Sequence, residues 1–200
     1  ISACESTYYA AMGEIGIPKR DILIDRIEET QEAQKEGQEQ FKSALEQFKS
    51  VVSFDGGDLE DLYNSLNKEY ENSVDAADDI RSHIDKVDSV ANALFEEWEE
   101  ELAQYTNPSF RRESQRQLSD TQSRYKRLLT AMRKAEKSID PVLNTLRDNT
   151  LFLKHNLNAR AITSLKGELS SVNNNVSSLI KAMEQAIQES DSFIKQLKNG

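Results

Sequence analysis

Apolar residues recur along this chain at alternating steps of three and four, beginning near residue 24 and continuing almost to its end. The first stripe reads Ile24, Ile27, Gln31, Gln34, Gln38, Phe41, Leu45, Phe48 and Val52. That spacing keeps the positions on one face of a helix, as in the seam of a coiled coil or bundle. The string EQFKS occurs at 39–43 and again one heptad later at 46–50, an echo too short to be a domain repeat. A second stripe passes through Leu66, Ser73, Ile80, Ile84 and Val87 to Trp98. A third runs from Leu118 through Tyr125, Met132, Ile139 and Leu146 to Leu153, and a fourth from Ile162 through Val172, Val176 and Met183 to Leu197. The pattern predicts four helices over about 18–52, 59–105, 108–155 and 159–197.

The residues between the stripes punctuate them in the way helix ends require. Pro18 and Pro108 stand where a first helical turn needs no N–H donor. Gly56-Gly57 stops the first helix, and Asp58 and Asn107 are placed to cap the second and third. Pro141 falls inside the third stripe, which continues in Val142 and Leu146, so it predicts a kink within that helix and not an end. The third turn falls in 155–158. Connections this short force antiparallel neighbours. The expected fold is therefore all-α, an elongated antiparallel four-helix bundle or coiled-coil rod. Its domain would span 17–200, preceded by a tether over 1–16 that includes Gly13 and Gly16. In that tether Tyr8, Tyr9, Met12 and Ile15 would lie on a membrane surface or on the end of the bundle.

Composition agrees with a thin rod. Of the 200 residues, 37% are hydrophobic and 30% charged, with only seven glycines and three prolines. That balance argues against a β-sandwich and against disorder. The net charge of −10 makes nucleic acid an unfavourable partner. The charge is also divided along the chain. Residues 58–105 carry 15 acidic and 3 basic side chains, and residues 108–160 carry 12 basic and 5 acidic ones. The second and third helices should thus oppose acid to base, with Ile80 and Arg133 at about the same level.

Cys4 is the only cysteine, so no internal disulfide can form. It follows Ile1-Ser2-Ala3, and an aliphatic residue with two small ones before a cysteine resembles a bacterial lipobox. On that reading Ile1 to Ala3 are the tail of a signal peptide, and Cys4 is the acylated first residue of the mature protein. Glu5, rather than Asp, then favours the outer over the inner membrane.

The usual constellations of catalysis do not occur. His83 and His155 fall at different levels of the rod, no Glu-x-x-His pair offers a di-iron site, and no HExxH, Cys-x-x-Cys or phosphate-cradling loop is present. No enzyme, metal or cofactor is expected. The carboxylates at Glu96, Glu97, Glu99, Glu100 and Glu101 read as a solvated helix face. Trp98, on the seam, reads as core. Lys154, His155, Asn156, Asn158 and Arg160 gather hydrogen-bonding groups at the third turn, either as helix caps or as an interaction site. Folding the chain at turns near 55–56, 106–107 and 156–157 brings Gln38 level with Ser73, Asp140 and Asn173. With Gln34 these predict a polar core layer, a kinked and hydrated waist that fixes register. A ligand bound there is the sharper version of the same reading.

The strings KRDILIDRIEE, LEQFKSVVSFDGGDLEDLYNSLN, LFEEWEEELAQYTNPSFRR and LRDNTLFLKHNLNARAI resemble a bacterial lipoprotein family designated domain-of-unknown-function family 2959. The resemblance covers about 13–197 and is most specific at FDGGDLED and FLKHNLNARAI. It implies an exported, mostly helical protein with no assigned activity, and it supplies no catalytic residues. The functional expectation is a non-enzymatic, lipid-anchored, periplasm-facing rod in the bacterial cell envelope. It would act as a scaffold, spacer or adaptor, with the membrane and an envelope protein as partners. Two alternatives stay open: a membrane-surface module using the basic third helix, and a bundle that binds a small ligand.

Overall fold

The computed structural model describes residues 18–199. Cys4, the lipobox and the tether residues lie outside the described residues. The protein is an all-α helical bundle. Its helices are α1 (Lys19–Val52), α2 (Leu59–Leu102), α3 (Pro108–Lys137), α4 (Ile139–His155) and α5 (Ala159–Asn199). The helix starts follow local chemistry. Asp58 accepts a hydrogen bond from the Glu60 N–H at 2.8 Å, and Asn107 accepts one from the Ser109 N–H at 2.9 Å. Gly56 and Gly57 have φ of 150° and 127°, a region that side chains with a Cβ rarely enter, so only glycine closes this turn without strain.

The third arm breaks before its proline. Ser138 separates α3 from α4, and its N–H is shared between the carbonyls of Lys134 and Ala135. Pro141 cannot donate to Lys137 and crowds the turn before it, so the helix tightens three residues upstream. In place of one continuous helix kinked at Pro141, the arm is divided into two helices at Ser138.

Cross-helix hydrogen bonds set the directions. Lys19 meets Glu97 while Gln40 meets Ser73, so α1 and α2 run in opposite senses. Trp98 meets Ser114, and Tyr125 meets Asp88, which makes α3 antiparallel to α2. Lys198 meets Glu28, and Gln38 meets the carbonyl of Ile180, closing α5 against α1. The four arms therefore form an up-down-up-down ring. At about 1.5 Å per residue the 44 residues of α2 extend roughly 66 Å. The proximal end holds Lys19, the α2–α3 turn and the end of α5. The distal end holds the α1–α2 and α4–α5 turns.

The seam positions build the core. Phe41, Phe48, Ile80, Ile84, Leu128, Met132, Leu146 and Leu153 are all sealed from solvent. The same logic undoes the polar waist. Gln34 and Ser73 are buried and Gln38 is half-buried, but Asp140 and Asn173 are exposed. Height and rotational phase both differ from the expectation: Gln38 meets Ile180, seven residues from Asn173, and Asp140 meets Arg81, eight residues from Ser73. Ile139 and Val172, one residue earlier in each helix, take the inward positions. Asp140 instead accepts a hydrogen bond from Arg81 at 2.7 Å on the surface. Apart from Gln34, whose amide has no partner among the described residues, the glutamines are bonded separately, without forming one layer. Gln31 donates to the Ile187 carbonyl and to Asp191, while Gln40 donates to Glu69 and Ser73.

The acid-against-base interface is also narrower than the charge division suggests. Arg133 pairs with Asp85 at 2.8 Å, five residues beyond the level of Ile80, and Arg81 pairs with Asp140 in the opposite sense. Burial alone would lower the Arg133 pKa, but hydrogen bonds to Glu136 and Asp85 outweigh it and raise it. Arg111, Arg112, Arg124, Lys126, Arg127, Lys134 and Lys137 are exposed and make no ion pair among the described residues. The apolar seam occupies the contact, and most of the charge stays in water.

Candidate functional site

Exposed large hydrophobic side chains mark the two ends of the rod and leave its flanks clear. Among the described residues they are Tyr105 and Phe110 at the proximal end, and Leu151, Phe152 and Leu157 at the distal end. Along the flanks the apolar side chains that reach the surface, such as Tyr70, Leu129, Leu143, Leu169 and Ile180, stay half-buried in the seams, whereas a tip cannot be covered by a neighbouring arm.

At the distal tip, α4 ends on Asn156, whose side chain donates to the Phe152 carbonyl at 2.9 Å. The Asn158 side chain accepts from the Ala161 N–H at 3.1 Å and starts α5. These two asparagines are helix caps. Lys154, His155 and Arg160 are exposed and form no ion pair among the described residues. The expected cluster is thus brought together, but it divides into two caps and three solvent-facing bases. Leu151, Phe152 and Leu157, exposed by 51%, 43% and 43%, stand among them. Sequence reasoning passed over this apolar part of the tip. The signal was available: Leu153 occupies the seam, so apolar side chains beside it fall off the stripe.

At the proximal tip, the Trp98 indole N–H donates to the Ser114 hydroxyl at 2.8 Å. Trp98 is half-buried, part core and part wall of a cleft of about 630 Å³. The cleft opens where α1 begins and α5 ends, with Pro18, Leu94, Leu197, Arg116 and Glu113 also around it. Beyond the cleft, the turn after α2 presents Tyr105 and Phe110 to solvent, exposed by 42% and 63%. Arg111 and Arg112 follow on α3.

In the shaft, Phe95 packs edge-on against Tyr125 and Tyr125 lies tilted against Phe193, with centroids 5.5 and 6.0 Å apart. Burial, together with the hydrogen bond its hydroxyl donates to Asp88 at 2.7 Å, pushes the Tyr125 pKa far up. His83 lies 3.8 Å from Glu29 and 3.5 Å from Asp79. Among the described residues no three His, Cys, Asp or Glu side chains are grouped to hold a metal ion. No described helix is long and apolar enough to cross a membrane.

A family model described as "Protein of unknown function (DUF2959)" matches residues 8–197. No curated protein matches the chain.

Proposed function

The chain belongs to this family of unknown function, DUF2959, and from that premise we propose a non-enzymatic rod that connects two places in the bacterial cell envelope. Cys4 supplies a lipid anchor beside the proximal end, and the distal tip engages an envelope protein on the periplasmic side. The observation that carries the reading is the placement of exposed large hydrophobic side chains: among the described residues they stand at both tips and not between them. A spacer needs a stiff, soluble shaft and contacts at its ends. An aromatic and two leucines rimmed by Lys154, His155 and Arg160 suit a partner whose docking surface is apolar with an acidic margin. Glu5 after Cys4 favours the outer membrane as the anchoring site.

The test has two parts. Intact mass of the native protein should show an acylated Cys4 with Ile1 to Ala3 removed. An unmodified chain that keeps those three residues overturns the anchor. A photo-crosslinking side chain at Phe152 should then join the rod to one envelope protein, and the same group at Lys126 on the flank should not. Equal crosslinking at both positions overturns the end-contact reading.

A further inference from the structure

The proximal tip carries an apolar and basic surface that the bundle itself does not use. Tyr105 and Phe110 lie five residues apart across the α2–α3 turn, and Phe110, at 63%, is the most exposed large hydrophobic side chain among the described residues. Among the described residues neither has an aromatic partner, in contrast to Phe95, Tyr125 and Phe193 in the shaft. Arg111 and Arg112 follow directly. Arg111 makes no side-chain hydrogen bond among the described residues, and Arg112 makes one of 3.4 Å to the Ser109 hydroxyl. Two aromatic side chains beside two available guanidinium groups suit the boundary layer of a phospholipid bilayer. Aromatic rings settle at headgroup depth, and arginine forks bind lipid phosphates.

This tip is also the end at which the chain enters the bundle, because Lys19 meets Glu97 near the end of α2. Thirteen residues lie between Cys4 and Pro18, and the fourteen fully extended steps from one to the other span at most about 50 Å. An acyl chain on Cys4 would hold Tyr105 and Phe110 close enough to the same bilayer for even a weak contact to be occupied, since tethering makes the second contact intramolecular. The acidic side chains Glu99, Glu100 and Glu101 lie on α2 just behind the turn and are exposed. They disfavour laying this part of the shaft on an anionic surface, so the geometry selects contact through the tip.

Resting on the lipid-anchored reading above, we propose that the α2–α3 turn is a membrane foot. Tyr105 and Phe110 seat in the headgroup layer of the bilayer that holds the Cys4 lipid, and Arg111 and Arg112 bind its phosphates. The rod then stands end-on, with Leu151, Phe152 and Leu157 presented away from the membrane.

The experiment uses lipidated full-length protein in vesicles of phosphatidylethanolamine with a minor share of phosphatidylglycerol, some lipids carrying a nitroxide on the headgroup. A fluorophore is placed in turn through Gln104→Cys at the foot, Lys126→Cys on the α3 flank and Asp55→Cys at the distal tip. All three positions are exposed. Quenching at Gln104 should exceed that at the other two several-fold. Tyr105→Ser with Phe110→Ser should remove it while the protein still floats with the vesicles and keeps its melting temperature. Arg111→Glu with Arg112→Glu should weaken it, and wild-type quenching should fall as salt rises. Acylated protein unquenched at Gln104 overturns the foot and leaves the anchor standing. Comparable quenching at Gln104 and Lys126 overturns it in favour of a rod lying on its flank. Protein with no acyl chain on Cys4 overturns the anchor and the foot together.

Discussion

Gly37 and Ile80 meet across the α1–α2 seam so closely that a Cβ built on Gly37 would lie 2.7 Å from the Ile80 Cδ1 and 3.7 Å from the Met183 Cε. Three arms converge there, and Gly37 lets α1 approach. Ile80 is fully buried, so its terminal methyl has little room to retreat.

Gly37→Ala should therefore destabilise the bundle. Better helix propensity contributes about 1 kcal/mol in favour, and overpacking costs about 1–3 kcal/mol. Ile80→Val alone should cost roughly 0.5–1.5 kcal/mol. Because it removes the clashing Cδ1, the double variant should be more stable than the sum of the two singles. Urea unfolding of all four proteins checks this. Strict additivity would show that the clash is relieved elsewhere.

Gln34 is fully buried in the same seam, and neither atom of its amide finds a partner among the described residues. An unsatisfied buried polar group costs about 1–3 kcal/mol. Gln34→Leu, of similar volume, should raise the unfolding midpoint by a corresponding amount. A lowered midpoint would mean that the amide is held by a trapped water or ligand and is stabilising.

The pH dependence of stability should carry the signature of Tyr125. Burial first, and then the hydrogen bond to Asp88, raise its folded pKa above the unfolded value of about 10. Below that unfolded value both states keep the proton and the contribution is whole. Above it the unfolded chain releases the proton while the folded one retains it, so stability falls as pH rises. Tyr125→Phe should lose less stability than wild type between neutral pH and pH values above about 10, measured by denaturant unfolding at each pH. Parallel curves for the two proteins would refute the assignment.

Much of the architecture is legible along the chain because helix periodicity and helix ends are local properties. Nearly every seam position from Ile24 to Ile194 faces inward, and α1, α2, α3 and α5 begin within a residue of the expected places. The distal tip was legible in part. Its turn chemistry pointed to Asn156 and Asn158, but the exposed Leu151, Phe152 and Leu157 required noticing apolar residues outside the stripe.

What the sequence by itself determined was which residues form helices, which face each helix buries and, through its short turns, the antiparallel order of the arms. Those follow from backbone hydrogen bonding, capping and the 3.6-residue period, all of which act within a few residues. What only the tertiary structure decided was how features far apart in sequence meet. Counting residues from a turn gives only a coarse height along a rod and no rotation about a helix axis, so Asp140 and Asn173 face water and lie seven or eight residues from their expected partners. The same limit hid the approach at Gly37, the orphaned amide of Gln34 and the few charges of α2 and α3 that pair. The separation of exposed apolar side chains into two tips became visible only once packing had covered the seams between them.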